Sequence, residues 1–168
     1  MWSSEVPVRR ALCGVALAVL TLLGGCGFHL QGRLNLPPVL ATAYIEPADA
    51  QSDFYLGLRA ALRANGTQLL DAPSAQAAQI HILSDSTAEG VLTVSASNVQ
   101  TSYQLNYAVR VAVSIGAKEL MPAEVHVLSR EYSFDSRKLL AKEHEREVLS
   151  EALAGDLVTL VMRRLSAL

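Results

Sequence analysis

Tyr103-Gln104-Leu105-Asn106-Tyr107-Ala108-Val109-Arg110-Val111-Ala112-Val113-Ser114-Ile115 alternates without a break. Seven apolar or aromatic residues, from Tyr103 to Ile115 at every second position, share one side; Gln104, Asn106, Ala108, Arg110, Ala112 and Ser114 share the other. Successive side chains on a strand point to opposite faces, so the pattern predicts an antiparallel strand with one covered and one wet face. It is about twice the usual strand length of 5 to 6 residues. An apolar face of that length requires neighbouring strands beside it and helices over it.

The flanking sequence supplies both. After a turn over residues 116–122, residues 124–134 return as a strand in which Val125 and Val127 give way to Leu128, Arg130, Tyr132 and Phe134. That change of apolar parity predicts a bulge or register shift near Leu128. Upstream, Ile80 and Ile82 alternate with Gln79, His81 and Leu83, and residues 91–96 form a further run after a break at Glu89-Gly90. Residues 41–45, ended by Pro47, predict a first strand. Ser52 or Asp53 can cap a helix carrying Phe54, Leu58, Ala61 and Leu62 inward and Arg59 and Arg63 outward, with Asn65-Gly66 as its stop. A last helix over residues 141–166 has the stripe Leu149, Ala152, Leu153, Leu157, Leu160, Val161, Leu165 and Leu168. Glu143, Glu145 and Glu147 near its start and Arg163 and Arg164 at its end complement the helix dipole. Gly155 is a weak point suited to close packing. The expected fold is α+β: two helices packed on one face of a mixed, largely antiparallel four-stranded sheet.

The N-terminus carries a different signal. Arg9-Arg10 lead an apolar run over residues 11–23, which ends in Leu23-Gly24-Gly25-Cys26. At about 1.5 Å per residue the run spans only about 20 Å, short of a bilayer core of about 30 Å. It reads as a signal peptide, residues 1–25, with cleavage between Gly25 and Cys26. Cysteine directly after two small residues matches a lipobox, with Cys26 as an N-palmitoyl, S-diacylglycerol anchor. Two or three chains hold firmly, since each buried methylene contributes about 0.8 kcal/mol. By likeness to lipoproteins at large, Gly27 directs the chain to the outer membrane, facing the periplasm. Residues 26–38, with Gly32 and Pro37-Pro38, read as a lipidated tether, and 39–168 as a single domain. The net charge of −2 becomes −3 without the signal, and nothing in it points to nucleic acid. The mature chain would keep one cysteine, used by lipid, so no disulfide is expected.

Reactive chemistry is not indicated. His29, His81, His126 and His144 lack a metal-ligand spacing, and there is no Gly-x-Ser-x-Gly elbow, phosphate-cradling glycine loop or His-Glu-x-x-His. No catalytic residue, metal or cofactor is expected, and the chain is read as a non-enzyme.

Several short stretches, in order, carry a family resemblance: Cys26-Gly27-Phe28-His29-Leu30, Leu62-Arg63-Ala64-Asn65-Gly66 with Leu69-Leu70, Tyr103-Gln104, and Ala141-Lys142-Glu143 with Glu145. Together they resemble the LptE family of lipopolysaccharide-assembly lipoproteins. The resemblance implies two helices on a four-stranded sheet, plugging and helping to assemble the LptD β-barrel as a heterodimer, one copy per barrel, and assisting transport of lipopolysaccharide to the outer leaflet. It also marks Lys142, beside Arg137 and Lys138, as a lipopolysaccharide contact, since Lys and Arg suit phosphates. Residues 96–100 hold no basic residue where some relatives carry one. Barrel lumens are polar, so Gln104, Asn106 and Arg110 on the wet face of the long strand are candidate barrel-facing residues. The alternative is a periplasm-facing lipoprotein that docks on and activates a cell-wall synthase or another lipid-transport complex.

Overall fold

The computed structural model describes residues 34–94, 100–133 and 139–168. After a 3-10 turn at Pro38–Leu40, the elements are β1 (Thr42–Glu46), α1 (Asp53–Ala64), β2 (Gln68–Leu70), β3 (Ala78–Val94), β4 (Gln100–Ile115), β5 (Lys118–Ser133) and α2 (Leu139–Leu165). They form one sheet in the order β2-β1-β3-β4-β5, with β1 parallel to β2 and β3 and the rest antiparallel. Two helices and a mixed sheet are as expected, but the sheet has five strands rather than four. The addition is β2, whose three residues are too few to show a period.

The alternation of β4 becomes the core. Tyr103, Leu105, Tyr107, Val109, Val111 and Val113 are all buried, together with Ile80 and Ile82 of β3 and Met121 of β5. Phe54, Leu58 and Leu62 of α1 and Leu153, Leu157, Val161 and Leu165 of α2 cover them. Full burial of such side chains contributes about 1.5 to 3 kcal/mol each. The inward stripe of α2 also takes in Ala154, Val158 and Met162, while Leu160 and Leu168 stay exposed.

Local signals set the ends of α1. The Ser52 hydroxyl accepts from the Tyr55 amide at 3.1 Å, capping one of the orphan donors of the first turn. Gly66, at φ 91°, turns the chain out, a conformation open to glycine. The Asn65 side chain accepts from the Leu34 amide at 2.7 Å, which anchors the incoming chain. Leu34, Leu36 and Val39 pack against the core and Leu40 is fully buried, so packing begins inside the stretch read as tether.

The strands depart from expectation in two places. β3 runs unbroken through Glu89 and Gly90, which pair with Leu105 and Gln104; its register against β4 shifts instead at Leu83, an extra residue between two paired positions, and twice more between Val91 and Val94. On β5, no register shift occurs near Leu128. Tyr107 pairs with Leu128 and Val109 with His126 in step, and the shifts lie opposite Val111 to Ser114, around Pro122. Val125 and Val127 simply face outward, 62% and 52% exposed.

Close helix packing falls on a different glycine from the one expected. A Cβ added at Gly57 of α1 would sit 3.1 Å from Val158 Cγ2 of α2, whereas one at Gly155 would meet nothing within 4 Å. Gly57→Val should therefore destabilise the protein by about 1 to 3 kcal/mol through overpacking. Gly155→Ala should stabilise it by roughly 0.5 to 1 kcal/mol through reduced chain entropy. Urea denaturation of the two variants checks both signs.

Candidate functional site

Because both helices lie on one face of the sheet, the other face is left to the outward residues of five strands. Along β4 these are Gln104, Asn106, Ala108, Arg110, Ala112 and Ser114. β3 contributes Ser84 beside Arg110, Ser86 beside Ala108, Ala88 beside Asn106 and Gly90 beside Gln104. On the far side, β5 sets Val125 against Arg110, Val127 against Ala108, Ser129 against Asn106 and Glu131 against Gln104. The Ser129 hydroxyl donates to Asn106 Oδ1 at 2.6 Å, which fixes that amide. The result is a face of small and polar residues with two exposed valines at the β5 edge. Its low side-chain relief permits close approach by another surface, and its amide and guanidinium groups supply directional contacts.

The expected face residues Gln104, Asn106 and Arg110 are thus together on this one surface. Lys142 stands elsewhere, in the first turn of α2, an element of the covering layer. Arg137, Lys138, Gly25 and Cys26 lie outside the described residues, as do residues 96–99 of the stretch 96–100.

Register also assembles a group that single strands do not reveal. Glu46 of β1 is the direct register partner of His81 of β3 on the outer face, and Ser114 of β4 lies diagonally from His81, beside Ala112, which stands opposite it. His81 Nδ1 is 2.6 Å from Glu46 Oε2, and His81 Nε2 is 3.1 Å from Ser114 Oγ. A carboxylate only accepts, so Nδ1 carries the proton and Nε2 takes the serine hydroxyl. The order is that of a nucleophilic triad, but Ser114 is on a central strand whose amides serve two ladders, leaving no pair for an oxyanion. The group orders the outer face as a hydrogen-bonded chain across three strands.

On the helix side, the Tyr132 hydroxyl donates to Glu89 Oε2 at 2.5 Å, and its ring stacks on Tyr103 with centroids 5.5 Å apart. Burial and, secondarily, the Glu89 carboxylate push the Tyr132 phenol above its ordinary value; burial and Asp85 do the same to Tyr107. Arg164 at the end of α2 grips Glu124 of β5 with two parallel bonds, Nη2 to Oε1 at 2.6 Å and Nε to Oε2 at 2.9 Å. Among the described residues no group of three or more acidic, histidine or cysteine side chains could hold a metal.

A mixed sheet with two helices on one face and a bare outer face is a fold seen in a class of bacterial lipoproteins. The rare lipoprotein B structure from Shewanella oneidensis superposes with a TM-score of 0.67 at 22% identity, covering 75% of this chain and 94% of that one. Lipoprotein B from Nitrosomonas europaea gives 0.67 at 25% identity, covering 84% and 91%. The chain belongs to the LptE family, described as Lipopolysaccharide-assembly, whose model matches residues 40–165. It is similar to the LPS-assembly lipoprotein LptE of Yersinia enterocolitica, 28% identical over 152 residues, covering 90% of this chain and 72% of the relative. Yersinia pestis LptE matches to the same extent. The family is non-enzymatic.

The Arg164 clamp has a pH signature. The hydrogen bonds from Arg164 are the main cause holding the Glu124 carboxyl below its ordinary value. A depressed carboxyl contributes stability that is complete above the ordinary carboxylate range and lost as pH falls through the folded value. Glu124→Gln should therefore be less stable than the parent near neutrality, and the difference should be smaller in acid, below the ordinary carboxylate range. Denaturation of both proteins at the two pH values checks this; a gap independent of pH would contradict it.

Proposed function

We propose that this chain is an outer-membrane lipoprotein that plugs the LptD β-barrel, one copy per barrel, helps to assemble it, and assists the passage of lipopolysaccharide to the outer leaflet. The observation that carries the reading is the bare outer face of the sheet. Barrel lumens are polar, so a plug must offer them a hydrophilic surface, and Gln104, Asn106 and Arg110 set among serines and alanines suit that. Family membership supports the lipopolysaccharide-assembly role, and the relatives carry that description in their names. Acyl chains on Cys26, after cleavage at Gly25, would hold the protein on the periplasmic side of the outer membrane. Lys142, with Arg137 and Lys138 just before it, offers cations for lipid phosphates.

A mild-detergent pull-down of the acylated full chain tests the partner. A large barrel in about equal amount, with acyl chains on Cys26 by mass spectrometry, is the expected result; a cell-wall synthase instead would sink the assignment. Asn106→Asp with Ala108→Asp should cut the recovered barrel severalfold, because two unpaired charges would be desolvated at the contact.

Alanine at Arg137, Lys138 and Lys142 together should leave barrel recovery intact and reduce lipopolysaccharide binding at least tenfold. Equal lipid binding by parent and variant would remove these three residues from the lipid site.

A further inference from the structure

The five strands share one pole. Thr42 pairs with Gln68, Ala43 with Ala78, Ala78 with Ile115 and Ile115 with Lys118, so the starts of β1, β2, β3 and β5 and the finish of β4 lie together. Both helices run down to the same place. α1 leads into β2 through Asn65-Gly66, and α2 passes Arg130 at Asp156 and then Glu124 at Arg164, descending β5 towards Lys118. The incoming chain arrives there too, where Asn65 Oδ1 accepts from the Leu34 amide. Given acyl chains on Cys26, the reading on which this inference rests, eight residue steps join the lipid to Leu34. A chain covers at most about 3.6 Å per step, so the tether reaches no further than roughly 30 Å. β3 rises roughly 50 Å from Ala78 to Val94, which puts a membrane touching only the far tip of β3 beyond the tether's reach.

The charges at the tethered pole suit such a surface. Arg63 in the last turn of α1, Arg163 in the last turn of α2 and Lys118 at the start of β5 are exposed, and none forms an ion pair with any described residue. Arg63 lines, with Arg59 and Asp71, a cavity of about 240 Å³ beside β1 and β2, yet Asp71 does not pair with it. Glu119, next to Lys118, projects from the opposite face of β5. At the other end Asp53, Glu143 and Glu147 surround the cavity between the two helix starts, and Arg146 there is already bonded to Glu143 at 3.0 Å. We propose that the tethered pole is a docking surface for an anionic phospholipid membrane, with Arg63, Lys118 and Arg163 on the headgroup phosphates and the far end of β3 held away. Each Lys or Arg close to such a surface favours contact by about fivefold. The attraction fades within a screening length of about 8 Å, and the short tether keeps the pole inside that range by raising its effective concentration at the membrane. Lys142 belongs to the opposite end, so the lipopolysaccharide contact proposed for it is separate.

Fluorescence quenching on the acylated full chain tests it. With the signal removed and lipid on Cys26, Ala117→Cys at the pole or Leu92→Cys on the far half of β3 supplies the one free thiol for a fluorophore, and both positions are exposed. Phosphatidylcholine vesicles, with and without phosphatidylglycerol, carry nitroxides on their headgroups. With phosphatidylglycerol, quenching at position 117 should exceed that at 92 severalfold, and it should fall severalfold when that lipid is left out. Arg63→Glu with Lys118→Glu and Arg163→Glu should produce the same fall. So should about 1 M salt on the parent, which cuts the screening length to about 3 Å and serves if the triple variant fails to fold. Equal quenching at both positions, or quenching at 117 indifferent to phosphatidylglycerol, charge reversal and salt, would overturn the proposal. So would shielding of position 117 from the headgroups when the barrel is reconstituted with the chain, which would make the pole a protein contact. An acylated chain that fails these tests leaves the lipid anchor standing, whereas a chain shown by mass spectrometry to lack acyl chains on Cys26 takes both readings down.

Discussion

One-sided burial of β4 is the constraint on which the molecule depends. Six consecutive inward positions, Tyr103 to Val113, are nearly or fully buried, in one core with side chains of both helices. β3 and β5 must run beside it for the backbone to be paired, and two helices must share the apolar face. Once both helices are on one side, the opposite face is free for a partner. The tight seam between Gly57 and Val158 is what lets α1 and α2 lie side by side over that narrow sheet.

How far the fold could be read depended on the length of each pattern. Alternation over thirteen positions located β4, and helical spacing located α1 and α2, whose start at Leu139 precedes the expected residue 141 by two. β2 escaped because Gln68–Leu70 makes its identity through pairing with β1, not through its own composition. Glu89-Gly90 looked like a break because a glycine weakens strand propensity, yet the ladder to β4 runs on through both residues. Val125 and Val127 misled for the opposite reason: valine is at home on a strand whichever way it points, and here it points to solvent.

The same logic divides the site. Gln104, Asn106 and Arg110 were legible as one surface, because period two within one strand is enough to put them there. The group of Glu46, His81 and Ser114 was not, since it requires the register of three strands spread over 69 positions of sequence, from 46 to 114. Arg59 and Arg63 were visible as a helical flank, but the cavity beside them appears only when the ends of β1 and β2 close against it.

The irregular stretch around Pro122 has a meaning beyond register. β5 is an edge strand of 16 residues with one row of backbone donors and acceptors unpaired by the sheet, long enough to recruit a second copy by simple extension. A proline, two register shifts and the charges of Lys118 and Glu119 interrupt that row over its first half. The protein can therefore carry a long bare edge while discouraging fibre-like stacking on itself.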